Sequence, residues 1–234
     1  MRILVLGAGL QGSACAFDLL ETTDAQVTLA DREPARVAPL LDKHNGGRLT
    51  LLAVDGRDER SLRAAMDGHA GVLSALPYYL NAGAARVGLA TGAHFAALGG
   101  NPAIVRQQEA LDTQARRRGV SVIPDNGVAP GMVNILAVEA MRRLDSVESG
   151  RLYVGGLPQR PRPPLNYNIV YSLEGVLDYY TTPSWILRQG KPVQVEALSE
   201  LEEVRFAGLG GLEAFHTAGG VSTMPWVYAG TVRV

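Results

Sequence analysis

The sequence predicts an α/β protein in which a doubly wound parallel sheet is followed by a second, smaller α+β domain. Over the first half, short β-branched or leucine-rich runs alternate with longer helical stretches, and a glycine-rich turn follows the first run. Near Asp145 the pattern changes to strand-like segments separated by turn residues. We therefore expect two domains, residues 1–144 and 145–234.

Six strands are predicted in the first domain because each run is apolar and bounded by turn residues. They cover residues 3–6, 27–30, 49–54, 71–76, 94–98 and 120–123. Five helices are predicted between them, over residues 10–20, 33–41, 59–66, 81–90 and 102–118. Asp58 and Asn101 are expected to be helix N-caps, and Gly119 a helix stop. Strand–helix alternation of this kind indicates parallel strands joined by right-handed crossovers.

A further helix is predicted over residues 131–144, ahead of the second domain. The strand-like segments that follow are residues 147–154, 166–171, 185–187, 193–195 and 226–232. The stretch Arg188-Gln189-Gly190 between two of them predicts a hairpin, so this domain is expected to be mostly antiparallel.

Composition excludes several classes of function. The 234 residues are 47% hydrophobic and carry a net charge of −1, so we expect neither nucleic acid nor a membrane surface as a partner. The single cysteine, Cys15, cannot form an intrachain disulfide, and no signal peptide precedes the first strand. A cytoplasmic location is therefore expected. No HExxH or CxxC spacing is present, and we expect no metal site.

A dinucleotide-binding fingerprint lies between the first predicted strand and the first predicted helix. Its glycines are Gly7, Gly9 and Gly12, and Leu10 and Gln11 complete the turn. The first glycine permits a tight turn, the second lets the backbone approach a pyrophosphate, and the third lets the helix pack on its strand. Helix amides and the helix dipole are then available to phosphates. This motif makes residues 1–144 a Rossmann-type domain.

The cofactor is expected to be NAD, with NADP possible. Asp31 ends the second predicted strand, where a carboxylate can accept both hydroxyls of an adenosine ribose. The next residue, Arg32, could instead hold the extra phosphate of NADP.

Other predicted strands also end in candidate cofactor contacts. In a doubly wound sheet all these ends open on one crevice, where ligands bind. Asp55 and Gly56 follow the third strand and are expected near the adenine. Ala75, Leu76 and Pro77 end the fourth strand and are expected beneath the nicotinamide ribose.

Several motifs together resemble the saccharopine dehydrogenase family, closest to the branch that contains lysine 6-dehydrogenase. Besides the glycine fingerprint, they are the segments 74–78 (SALPY), 98–101 (LGGN), 125–131 (DNGVAPG), 154–158 (VGGLP), 171–177 (YSLEGVL) and 217–225 (TAGGVSTMP). The resemblance extends through nearly the whole chain.

The resemblance implies an NAD(P)-linked oxidoreductase acting on the C–N bond of an amino acid in a cleft between the domains. Lysine 6-dehydrogenase-like oxidative deamination is the first expectation, and saccharopine reductase-like imine reduction is the alternative. Asp125 matches the family's Asp-x-Gly-x-x-Pro-Gly motif and is the candidate base or polar anchor; it could instead bond backbone amides at the start of the next helix. Candidate substrate contacts in these motifs are Tyr78, Asn101, Asn126, Tyr171 and Glu174.

Three departures from the family pattern matter. Ala96-Ala97 and Tyr179-Tyr180 stand where relatives commonly have an acidic residue. Family members also usually continue well past Val234, so the second domain is expected to be truncated at its C-terminus. Apolar surface left uncovered predicts a homodimer or higher oligomer. The missing acids leave open a different class, a non-catalytic nucleotide-binding or regulatory subunit.

Overall fold

The computed structural model describes residues 1–37, 39, 46–164, 166–168 and 172–230. The chain divides into two compact units, Met1–Gly127 and Val128–Val234. Each unit is described by itself below.

The first unit contains a six-stranded parallel sheet. Its strands are β1 (Arg2–Leu6), β2 (Gln26–Asp31), β3 (Leu49–Ala53), β4 (Gly71–Ser74), β5 (His94–Ala97) and β6 (Val122–Ile123). The spatial order is β3-β2-β1-β4-β5-β6, and every neighbouring pair is parallel. This is the strand order of a Rossmann fold, which confirms the predicted fold class.

Helices connect these strands. They are α1 (Leu10–Thr22), α2 (Glu59–Met66), α3 (Asn81–Thr91), α4 (Pro102–Glu109) and α5 (Asp112–Arg118), with short 3-10 turns at Pro34–Val37 and Tyr78–Leu80. The predicted caps are present: Asp58 accepts from two backbone amides, Asn101 accepts from the amide of Ala103, and Gly119 has a φ of 65°.

Two predicted helices of the first unit differ from the structure. The single helix expected over residues 102–118 is divided by a turn at residues 110–111, where Leu111 packs into the core. The helix expected over residues 33–41 begins as the 3-10 turn at Pro34–Val37, and residues 38, 40 and 41 lie outside the described residues.

The sheet is buried on both faces. Leu4 and Leu6 of β1 point into one hydrophobic cluster, with Phe95 and Met66, whereas Val5 points into the other. Alternate residues of a strand face opposite sides, so an uninterrupted apolar run suits a strand covered by helices on both sides. The core therefore fixes the register of the strands whose carboxyl ends form the crevice described below.

The second unit has two antiparallel hairpins and three helices among its described residues. The hairpins are β7 (Ser184–Arg188) with β8 (Lys191–Val195), and β9 (Glu202–Phe206) with β10 (Gly210–Ala214). The helices are α6 (Met132–Arg142), α7 (Leu173–Thr181) and α8 (Met224–Val227). The hairpin predicted at Arg188-Gln189-Gly190 is confirmed, because Gln189 and Gly190 have φ of 50° and 71° in a two-residue turn.

Other expectations for the second unit differ from the structure. Residues 147–154 form no strand; Arg151 and Tyr153 instead reach Glu202 through their side chains, at 2.6 and 2.8 Å. The strand expected over residues 226–232 begins inside helix α8, whose first turn contains a proline, and residues 231–234 lie outside the described residues. Of the strand expected over residues 166–171, residues 166–168 are not in a strand and residues 169–171 are not described.

The division between the units falls before α6, whereas the sequence placed it after Leu144. In the second unit, Asn134 on α6 donates to the carbonyl oxygen of Gly220 at 3.4 Å and to the sulfur of Met224 at 3.2 Å. These bonds tie α6 to the later part of the second unit. Among the described residues, no helix combines the length and the apolar character needed to cross a bilayer.

Candidate dinucleotide-binding site

The candidate site lies where the carboxyl ends of β1 and β4 diverge. The chain leaves β1 toward β2 on one side, and β4 continues the sheet on the other. In an open parallel sheet this reversal of strand order leaves a crevice between the loops, and ligands bind there. The loops that follow β1 and β4 are the glycine turn and the segment Ala75-Leu76-Pro77.

Two of the three glycines are required by contacts inside the protein. Gly7 has a φ of 95°, and a Cβ at this position would lie 2.8 Å from the carbonyl oxygen of Ala75. A Cβ at Gly12 would lie 1.8 Å from the carbonyl oxygen of Gly7. The turn therefore packs directly against α1 and against the loop after β4, as the fingerprint predicts.

Gly9 differs from the other two glycines. Nothing lies within 4 Å of a Cβ built at this position, and its φ of −76° is one that any residue adopts. Gly9 is the N-cap of α1, whose first turn contains no acidic residue, and Leu10 beside it is 67% exposed. The open space over a helix N-terminus is a cradle that suits a pyrophosphate, whose oxygens would meet the amides at Leu10 and Gln11.

Asp31 lies beside the glycine turn at the end of β2. One carboxylate oxygen accepts the amide of Ala8 at 2.8 Å, and the other accepts the amide of Glu33 at 3.1 Å. A carboxylate has about four acceptor positions, so each oxygen keeps capacity for a ribose hydroxyl. Arg32 is exposed next to it. The arrangement fits an adenosine ribose at this edge of the crevice.

The loops after β3 and β4 meet over the crevice. A Cβ at Gly56 would lie 3.0 Å from a methyl group of Leu76, so Gly56 lets these loops approach each other. Asp55 accepts the amide of Arg57 at 3.0 Å and shapes the turn in which Gly56 stands. Of the expected cofactor contacts here, Pro77 is exposed and Ala75 is half-buried. Tyr78 follows and is half-buried.

Asp125 lies on the far side of this edge, after β6. It is 9% exposed, has a φ of 58°, and packs on the backbone of Gly100, where a Cβ would lie 1.6 Å from its Oδ1. The two expected asparagines have local roles: Asn126 donates its side-chain amide to the carbonyl of Ile123 at 2.6 Å, and Asn101 caps α4. Gly100 and Asp125 thus form a compact shelf at the carboxyl ends of β5 and β6, named here the Asp125 shelf.

The remaining candidate residues are not in this unit. Glu174 is exposed in the first turn of α7, in the second unit. Tyr171 lies outside the described residues. The candidates for cofactor contacts all lie in the first unit, in the loops at the carboxyl ends of β1 to β4. Within the described ranges, no three His, Cys, Asp or Glu side chains are grouped so that they could hold a metal ion.

Sequence reasoning missed one polar group at this edge. Asn81 is fully buried at the start of α3, between the hydroxyl of Ser74 and the carbonyl of Gly99. The available signal was an asparagine at the head of an otherwise apolar helix, a position where its side chain can bond to neighbouring loops.

Comparison with protein families matches both parts of the chain. Residues 3–123 match the family model described as saccharopine dehydrogenase NADP binding domain, and residues 127–234 match the saccharopine dehydrogenase C-terminal domain. The first match covers more than half of the chain, and it contains the whole crevice. The chain belongs to the saccharopine dehydrogenase family.

The curated relatives that match this chain share between a fifth and a third of its residues. The mitochondrial alpha-aminoadipic semialdehyde synthase of Mus musculus is 28% identical over 206 residues, which are 83% of this chain and 21% of the mouse protein. Saccharopine dehydrogenase [NADP(+), L-glutamate-forming] of Schizosaccharomyces pombe is 24% identical over 210 residues, 87% of this chain and 45% of the yeast protein.

A solved structure shows the same fold. Apo saccharopine dehydrogenase (L-Glu forming) from Saccharomyces cerevisiae superposes with a TM-score of 0.67 at 19% identity, over 92% of this chain and 49% of the yeast chain. The chain thus spans less than half of the length of each of these three relatives.

Proposed function

We propose that this chain is a nicotinamide-dependent oxidoreductase of the saccharopine dehydrogenase type, acting on a C–N bond of an amino acid. The observation that carries the proposal is the glycine turn. Its first and third glycines are required by the protein's own packing, whereas Gly9 opens into empty space above the α1 N-terminus. At a helix N-terminus that directly follows a parallel strand, a glycine with open space around it suits the close approach of a phosphate-bearing ligand.

Different residues along the crevice bind different parts of the cofactor. The amides at the α1 N-terminus hold the phosphates, and Asp31 orients the adenosine ribose. The other half of a dinucleotide then extends over Ala75 toward the Asp125 shelf. Bound in this way, the nicotinamide supplies the hydride acceptor or donor.

Asp125 is proposed as the proton acceptor. Oxidation removes a hydride from the carbon next to nitrogen, and the nitrogen lone pair forms the C=N bond of an iminium. Water then adds to that carbon, and the C–N bond breaks to give a carbonyl compound and an amine. The amine must lose a proton before the hydride leaves, and a buried carboxylate beside the crevice can accept this proton and release it to solvent. The same carboxylate can then accept a proton from the attacking water and return it to the leaving nitrogen as the C–N bond breaks.

A saccharopine-type secondary amine is favoured as the substrate over lysine. The curated relatives that match this chain include L-glutamate-forming saccharopine dehydrogenases. Lysine 6-dehydrogenase-like deamination, the first expectation from the sequence, therefore becomes the second candidate.

We propose NAD as the preferred cofactor, although the matching family model is described as NADP binding. The Asp31 carboxylate lies where the 2′-phosphate of NADP would have to sit. Two unit charges about 4 Å apart repel by about 1 kcal/mol in water and about 4 kcal/mol near a protein surface. Arg32 offsets part of this repulsion, so we expect NAD to bind about ten-fold more tightly.

The activity test combines binding and turnover on the full chain. Calorimetry measures NAD and NADP affinity, and the absorbance of the reduced nicotinamide follows saccharopine, lysine or ornithine oxidation and the reverse reaction with glutamate plus allysine. Turnover with saccharopine, or in reverse with both reverse substrates, supports the proposal. Cofactor binding without any turnover would instead indicate a non-catalytic nucleotide-binding subunit.

A matched pair of variants tests the cofactor preference. Asp31→Ser removes the charge and should shift the ratio of NAD to NADP affinity at least about ten-fold toward NADP. Asp24→Ser also removes an exposed carboxylate, but it lies just before β2, at the edge of the sheet opposite the crevice, so the ratio should stay unchanged. An unchanged ratio in Asp31→Ser would contradict the assignment of the ribose site.

A further inference from the structure

A buried polar bridge joins the carboxyl ends of β4 and β5. The hydroxyl of Ser74, the last residue of β4, donates to Oδ1 of Asn81 at 2.7 Å. The Nδ2 of Asn81 donates to the carbonyl oxygen of Gly99, after β5, at 3.2 Å. Both side chains are fully buried, with no exposed surface. This set is named here the Asn81 bridge.

Packing alone does not account for the Asn81 bridge. Asn81 is the first residue of α3, and each buried polar group costs free energy unless it is bonded. The strands themselves are already paired in register from Gly71 with His94 to Ser74 with Ala97. The bridge therefore holds the chain beyond the strand ends, where the backbone ladder has stopped.

The two loops held by the bridge touch the two halves of the candidate site. Ala75 follows Ser74 directly and packs against the backbone of Gly7, where a Cβ would lie 2.8 Å from the Ala75 oxygen. Gly100 follows Gly99 directly and supports Asp125. The bridge thus links the glycine turn to the Asp125 shelf through adjacent residues.

We propose that Asn81, together with Ser74, is a positioning residue that fixes the nicotinamide half of the cofactor relative to the Asp125 shelf. This inference rests on the proposed function. The adenosine ribose is held by Asp31, on the other side of β1 from the bridge. The glycine turn also keeps a bond that does not involve the bridge, from the amide of Gly7 to the carbonyl oxygen of Ala30 at 2.7 Å. Loosening the bridge should therefore affect one half of the dinucleotide and not the other.

Comparing a whole cofactor with its fragment separates positioning from general stability. NAD contains both halves, whereas ADP-ribose lacks the nicotinamide. Asn81→Asp keeps the acceptor for Ser74 but replaces the donor to Gly99 with an oxygen. We expect this variant to bind NAD about ten-fold more weakly in calorimetry, while its ADP-ribose affinity stays within about two-fold of wild type.

Two further variants keep the test decisive. The double variant Ser74→Ala/Asn81→Leu removes both side-chain partners together, which is far less costly for folding than removing one, and should show the same selective loss of NAD affinity. Thr28→Val breaks another buried side-chain bond, from Thr28 to His69 at 2.9 Å, which lies away from the crevice. It should lower the melting temperature without changing either affinity.

Each outcome has one meaning. Selective loss of NAD affinity in the bridge variants supports the positioning role. Equal loss of NAD and ADP-ribose affinity, or no loss of either, overturns it while the proposed function stands. If the wild-type chain binds neither NAD nor ADP-ribose, the proposed function is wrong, and so is the positioning role that rests on it.

Discussion

Replacing Gly9 with alanine should separate folding from cofactor binding. A Cβ at this position meets no atom within 4 Å, and the backbone angles suit any residue. Alanine is a slightly poorer N-cap than glycine, by a few tenths of a kcal/mol or more, but it reduces the entropy of the unfolded chain by about 0.4–1 kcal/mol. These effects oppose each other, so the free energy of unfolding should change by less than about 0.5 kcal/mol.

Binding should respond far more strongly. The added methyl group fills the space above the α1 N-terminus and displaces a pyrophosphate from the backbone amides. Charge-assisted hydrogen bonds contribute about 1.5–3 kcal/mol each, so losing one costs about 2 kcal/mol, or about thirty-fold in NAD affinity. Calorimetric titration measures the affinity, and urea unfolding measures the stability.

Two glycine controls frame this experiment. Gly150→Ala also introduces a methyl group into open space, but in the second unit. It should leave NAD affinity unchanged and raise the free energy of unfolding by no more than about 1 kcal/mol, through the lower entropy of the unfolded chain. Gly12→Ala places a Cβ 1.8 Å from the carbonyl oxygen of Gly7 and should destabilise the fold itself, by more than about 3 kcal/mol. Unchanged NAD affinity in a folded Gly9→Ala protein would refute the reasoning.

Three other predictions concern different regions. Burial, followed by the charge of Arg2, lowers the pKa of His69 below its ordinary value of 6.5. Below pH 6.5 the unfolded chain then binds more protons than the folded chain. The free energy of unfolding should therefore fall as the pH drops from 6.5 toward the lowered pKa, by no more than about 1.4 kcal/mol per pH unit. Urea titrations at several pH values measure this dependence, and His69→Gln should flatten it. Asp125→Asn should reduce kcat by about 100-fold or more with unchanged NAD affinity, and a parallel loss of both would indicate a structural role. We also expect an oligomer, because Ile135 and its neighbours on α6 are exposed and the described part of the second unit buries few apolar side chains. Light scattering should give a mass of at least twice 24.9 kDa, and Ile135→Glu should reduce that mass. A monomeric wild-type protein would contradict the expectation.

The first unit could be predicted from the sequence because its signals are local. β1 is an uninterrupted apolar run after Arg2, β2 is interrupted only by Thr28, and both faces of each strand are covered. Helix α2 begins and ends where predicted, because Asp58 caps it with two hydrogen bonds. Cap chemistry depends on neighbouring residues, and a strand covered on both faces is marked by its own apolar run, so the sequence pattern records both.

The second unit carried weaker signals. Strand β9 has charged residues at 202, 203 and 205, and its faces remain partly exposed, so no apolar alternation indicated a strand. Helix α8 is four residues long and covers Met224–Val227, where the pattern predicted a strand beginning at residue 226. Short elements with little burial are set by tertiary contacts that a sequence pattern does not record.

The candidate site shows the same division. The glycine turn was predictable because its spacing is a consecutive motif, and Asp31 because it follows a clear strand. The Asn81 bridge was not, because Gly99 lies 18 residues from Asn81 and is brought to it by the pairing of β4 with β5. A bond of that kind becomes visible only in the folded chain.

A crystal structure of the chain grown with NAD tests the central claim most directly. We expect pyrophosphate oxygens within hydrogen-bond distance, about 2.7–3.2 Å, of the amides at Leu10 or Gln11, with the adenosine ribose against Asp31. A glycine turn without phosphate density at saturating NAD, or a dinucleotide bound elsewhere on the protein, would contradict the account.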